Sequence, residues 1–111
     1  MYIKGLDEQK RENCANYTIY FAYQKSKEIG HDLLDFADLI WPDDVAEIVT
    51  TLKKNNVQEF TISYNSSCLI DRLADFEKLG CKISGLTKIK TTLKNLDGGI
   101  QEANALKMRI L

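Results

Sequence analysis

The sequence predicts an α/β fold: a small mixed β-sheet with a β-α-β crossover and a C-terminal β-hairpin, packed against helices. Three observations carry this. Residues 59–90, EFTISYNSSCLIDRLADFEKLGCKISGLTKIK, change period twice: they alternate, then repeat every three to four residues, then alternate again. Upstream, Val45, Ile48, Val49 and Leu52 form one apolar stripe at helical spacing. Downstream, the turn signal Asp97-Gly98-Gly99 precedes an alternating Leu106, Met108 and Ile110. Strand, helix and strand with short connections imply parallel pairing of residues 57–64 with 81–90, the latter near the sheet centre. An α+β two-layer sandwich is the competing arrangement.

In chain order, Asp7 is placed to cap a helix that starts at EQKREN and ends before Gly30, with Lys25 and Lys27 in its last turns. Within it, YTIYFAY (17–23) also alternates like a strand; the helix-forming flanks favour helix. Cys14, Thr18, Phe21 and Ala22 then share a face. HDLLDFADLIW reads as a mostly buried connector holding a short strand, stopped by Pro42. Asp44 and Glu47 have the spacing of a capping box for the next helix, and Asn55-Asn56 supplies a left-handed exit. In the strand 57–64, Phe60, Ile62 and Tyr64 face one way, Thr61 and Ser63 the other. The third helix, about 67–79, buries Leu69, Ile70, Leu73, Phe76 and Ala74 and ends at Gly80. The strand 81–90 sets Cys81, Ile83, Gly85, Thr87 and Ile89 against Lys82, Ser84, Leu86, Lys88 and Lys90.

A chain of 111 residues, 44% hydrophobic and 28% charged, suits a single domain spanning 1–111 with an ordinary core. No apolar run approaches the ~20 residues of a membrane span, so no membrane partner is expected, and the polar start MYIKGLDEQKREN is no secretory signal. Cys14, Cys68 and Cys81 are odd in number and irregularly spaced, which argues against a disulfide framework or a zinc site. They read as small core residues in a cytoplasmic protein. The net charge of −1 hides an asymmetry. Residues 1–80 hold 9 Lys/Arg against 14 Asp/Glu, and residues 81–111 hold 6 against 2.

FAYQKSKEIGHDLLDFADLIW, EFTISYNSSCLIDRLADFEKLGCKISGLTKIK and the closing NALKMRIL resemble a family of small uncharacterised bacterial proteins, a domain of unknown function common in Gram-positive gut bacteria. The resemblance covers residues 17–111. It implies a compact cytoplasmic domain and transfers no catalytic residue, because the family has no established activity.

Two groups of residues are candidate sites. Ser63, Asn65, Ser66 and Ser67 lie where a strand gives way to a helix, a place where free backbone N–H groups favour an anion or small ligand. The plainer reading is that Ser66 or Ser67 caps the helix. Lys82, Lys88, Lys90, Lys107 and Arg109 give the last third a basic patch. Such a patch suits a protein partner or a second copy of the chain. Nucleic acid is disfavoured by the pI of about 5.8 and the lack of interleaved aromatics. The same lysines also suit protection of a sheet edge. His31, the single histidine, is expected in a solvated loop, Trp41 in the core, and Asp71 with Asp75 on a solvated helix face. No motif calls for a cofactor, a metal or a catalytic residue. A non-enzymatic interaction module is the first expectation, and a small-molecule or anion-binding domain the alternative.

Overall fold

In the computed structural model, which describes residues 3–7, 17–64, 67–94 and 100–111, the elements follow in order. They are α1 (Lys4–Asp7), α2 (Tyr17–Ile29), β1 (Leu34–Phe36), a 3₁₀ turn (Pro42–Asp44), α3 (Val45–Lys54), β2 (Glu59–Ile62), α4 (Leu69–Lys78), β3 (Cys81–Lys94) and β4 (Ile100–Ile110). The strands form one mixed sheet in the order β1-β2-β4-β3. β1 and β2 are parallel, and the chain between them passes through α3, which is the β-α-β crossover. β4 is antiparallel to both β2 and β3, and with β3 makes the long C-terminal hairpin. The α/β class with a mixed sheet, crossover and hairpin is therefore the architecture observed.

Alternation along the strands separates two faces. Leu34 and Phe36 of β1, Phe60 and Ile62 of β2, and Met108 and Ile110 of β4 share a core with Val45, Ile48, Val49 and Leu52 of α3 and Phe76 of α4. Phe60 lies at its centre, edge-on to Phe36 at 5.6 Å between ring centroids and tilted against Phe76 at 5.4 Å. The four-residue stripe of α3 is buried throughout, as its spacing requires. Asn56 leaves that helix with φ 60°, and Gly30 and Gly80 end α2 and α4 with φ 86° and 90°. That is the left-handed backbone that an asparagine or a glycine reaches at least cost.

Several expectations are corrected. Residues 81–90 do not pair with 57–64: β4 lies between β2 and β3, and β3 is an edge strand. The strand that displaces it carries Met108 and Ile110 onto Phe60's face, whereas β3 carries exposed lysines and is suited to an edge. The buried face of α2 is Ile19, Tyr23 and Ser26; Thr18 and Ala22 are only partly buried, Phe21 is half-exposed, and Cys14 lies outside the described residues. Asp7 belongs to α1, pairs with Lys27 and accepts from the Tyr23 hydroxyl at 3.4 Å, while the predicted helix start at EQKREN lies outside the described residues. Asp44 precedes α3 without a side-chain cap bond and instead accepts one from Thr18 Oγ1 at 3.2 Å. Cys68, not a serine, occupies the N-cap of α4, without a side-chain cap bond. Ile70 and Trp41 are 79% and 63% exposed, because α4 turns Leu69, Leu73 and Phe76 inward and the chain leaves the core at Ile40. Ala74 and Cys68 are exposed as well, whereas Cys81 is buried. Asp97-Gly98-Gly99 lies outside the described residues.

The outer edge of β1 is closed by a side chain. Phe36 directs its carbonyl to Ser63 N of the β2 segment, so Asp35 directs its own N–H and C=O away from the sheet. There Ser26 Oγ accepts from Asp35 N at 3.0 Å and donates to Asp35 O at 3.4 Å. One buried hydroxyl stands in for a neighbouring strand and fixes α2 against β1.

Candidate small-molecule cleft

Strand alternation sends the Asp35 side chain to the face opposite Leu34 and Phe36, where Thr61 is its partner across the pair. Asp35 is 3% exposed. Thr61 Oγ1 donates to its Oδ1 at 2.6 Å, and Ser63 Oγ donates to its Oδ2 at 2.7 Å. Both are short enough to be charge-assisted bonds. Burial pushes the carboxyl above its ordinary range, and outweighs the opposing pull of the two hydroxyls, His31 and Lys25.

His31 follows the left-handed Gly30, which turns the chain back toward the hairpin. The ring is 8% exposed rather than solvated. Its Nε2 lies 2.7 Å from the Lys90 carbonyl of β3. A carbonyl only accepts, so the proton sits on Nε2. Nδ1 is buried and has no hydrogen-bond partner among the described residues.

These two buried groups line one cleft of about 580 Å³ between α2, the end of β1 and the far part of β3. Ser26, Asp35 and His31 form its floor, with Ser63 beside them; Tyr17 and Phe21, each about half-exposed, stand at its rim. The volume falls in the range of small-ligand pockets, as does the pairing of an apolar wall with a few convergent polar groups. A second cleft of about 430 Å³ shares His31 and Lys90 and runs under the hairpin past Thr61, Glu59 and Lys107.

The profile of a family described as Domain of unknown function (DUF7698) matches residues 18–110. The chain belongs to that family. A search of curated proteins finds no match. The DUF7698 span takes in Ser26, His31, Asp35, Thr61, Ser63 and Lys90, and so every polar group that shapes the cleft floor.

Of the first candidate group in this DUF7698 chain, Ser63 lies in the cleft and is tied to Asp35, and Ser67 is exposed beside Cys68. Asn65 and Ser66 lie outside the described residues. The basic residues are divided between two faces. Ile83 pairs with Met108 and Gly85 with Lys107, so Ser84 is an extra residue on β3. Lys82 therefore shares a face with Arg109 and Lys107, while Lys88 and Lys90 fall on the face of Leu86 and Met108. Lys107 is bound to Glu59 at 3.1 Å. Asp71 is exposed, and Asp75 meets Arg72 at 3.5 Å. Among the described residues, no group of three His, Cys, Asp or Glu is placed to hold a metal ion, and no helix is long and apolar enough to cross a membrane.

Sequence reasoning passed over Asp35 as one carboxylate among many. The signal was its position in Leu34-Asp35-Phe36, where an ionisable side chain alternates with two core residues inside a strand. Nothing local marked His31, because its partner is 59 positions away.

Proposed function

We propose that the chain is a bacterial cytoplasmic domain that binds a small molecule in the cleft over Asp35, His31 and Ser63. The observation that carries this reading is a buried imidazole nitrogen without a partner beside a buried carboxylate, both lining one cleft of ligand size. Asp35 is held by two hydroxyl donors, so the unpartnered imidazole nitrogen is the unusual group, since a packed interior normally satisfies buried polar atoms. The irregular, odd cysteines support the reducing compartment, and the family resemblance supports the bacterial source. The test is a thermal-shift screen of nucleotides, amino acids, amines and organic acids against the full chain and its His31→Phe and Ser63→Ala variants. A ligand at a hundred times its Kd adds about 2.7 kcal/mol, which shifts the melting temperature by several degrees. The expected result is such a shift in the wild type, reduced in both variants. A wild type that no compound shifts overturns the reading.

A second reading, self-association, is favoured by one observation. β3 leaves its outer edge open among the described residues, and exposed Ile83 and Leu86 lie along it. Light scattering is expected to show a dimer in the wild type and a monomer in Leu86→Lys. A wild-type monomer at high concentration excludes this reading.

A further inference from the structure

We infer that the cleft takes a planar cation or a donor-rich heterocycle, of the amidine, guanidine or amino-heterocycle class, and rejects anions. The inference rests on the small-molecule reading above and adds the chemistry of the ligand.

The first argument concerns what each floor atom has left to offer. Thr61 and Ser63 both spend their hydroxyl protons on Asp35. Ser63 Oγ therefore presents only lone pairs to the cleft. Each Asp35 oxygen takes one of those protons and retains acceptor capacity. The Nε2 proton of His31 is held by the Lys90 carbonyl, and Nδ1, which has no partner among the described residues, offers a lone pair whenever the ring is uncharged. All three groups have acceptor capacity and no uncommitted proton to give. A ligand that fits them must bring the donors. An anion at Ser63 would meet lone pairs and a carboxylate, which reverses the expectation drawn from a helix start alone.

The second argument is the charge around the cleft. Among its described lining residues, Lys25 and Lys90 are basic and Glu28, Asp35 and Asp38 acidic. With Asp35 ionised, three carboxylates face two ammonium groups, and the balance is negative.

The third argument is the wall. The Tyr17 and Phe21 rings stand 5.9 Å apart and within 23° of parallel at the rim. Aromatic faces carry negative charge density and favour flat cations over flat anions.

The test uses one shape with three charges: benzamidine, benzamide and benzoate, with inorganic phosphate as a further anion. Melting temperature and calorimetric titration are measured on the full chain and on Asp35→Asn and His31→Phe. The expected result is a rise with benzamidine at millimolar concentration and none with benzoate or phosphate. Asp35→Asn, which preserves the size of the side chain, is expected to weaken benzamidine at least tenfold while remaining folded by circular dichroism. A shift with benzoate or phosphate but not benzamidine overturns the inference and leaves the cleft reading standing. An equal benzamidine shift in wild type and Asp35→Asn also overturns it. Silence from these probes and from the wider screen removes both.

Discussion

Replacing Phe60 with alanine is expected to lower stability by about 3–5 kcal/mol. The ring is 0% exposed and sits on β2, which pairs with β1 on one side and β4 on the other. Phe36 and Phe76 meet it from neighbouring elements, so the truncation leaves a void bounded by strands and a helix that cannot all move together. A domain of this kind has a total stability of roughly 5–15 kcal/mol, so the variant is expected near the limit of folding. Ile70→Ala, at an exposed position on α4, is expected within about 0.5 kcal/mol of wild type. Urea unfolding monitored by circular dichroism measures both. A Phe60→Ala loss below about 1 kcal/mol would contradict the core described above.

At Asp35, asparagine and alanine are expected to act in opposite directions. The folded state raises this carboxyl above its unfolded value near 3.8, with burial as the main cause. The folded protein then holds the proton more tightly than the unfolded chain. The resulting stabilisation is complete below the unfolded value and is lost as pH rises through the folded one. At neutral pH the buried charge is a liability. Asparagine removes it while keeping an oxygen to accept one hydroxyl and an amide to donate to the other. Asp35→Asn is expected to gain about 0.5–2 kcal/mol at pH 7 and to lose the decline above pH 3.8 assigned to this residue. Asp35→Ala strands the hydroxyls of Thr61 and Ser63 and is expected to lose about 1–3 kcal/mol. Denaturant titrations of the three proteins from pH 4 to pH 8 decide the matter; a wild type that gains stability across this range relative to Asp35→Asn would refute the assigned direction. A residue whose removal stabilises the fold is one that the fold alone does not explain, which is consistent with a role in binding.

The stripe of α3, the helical state of residues 17–23 and the short strand in HDLLDFADLIW were legible because each depends on local period and on its flanking residues. What was not legible depends on partners far along the chain. The insertion of β4 between β2 and β3 is a long-range pairing that no window of the sequence contains. Ser84 adds one residue to β3, and a shift of one exchanges the two faces of every later side chain. The row of lysines that looked continuous is divided there. The cleft was hidden for the same reason: Ser63 was visible as a polar residue at a strand end, but Asp35 and His31 reach it only through the β1–β2 pairing and the return of the hairpin.

The Ser26 hydroxyl on the outer side of β1 has a consequence for assembly. Among the described residues, one rim of the sheet is sealed and the other, along β3, is open. Two copies that join through their open rims leave a composite whose outer margins are both sealed. Were the chain to self-associate through β3, growth by this route would stop at two chains, and the seal on β1 would act as a terminator against ribbons and fibrils.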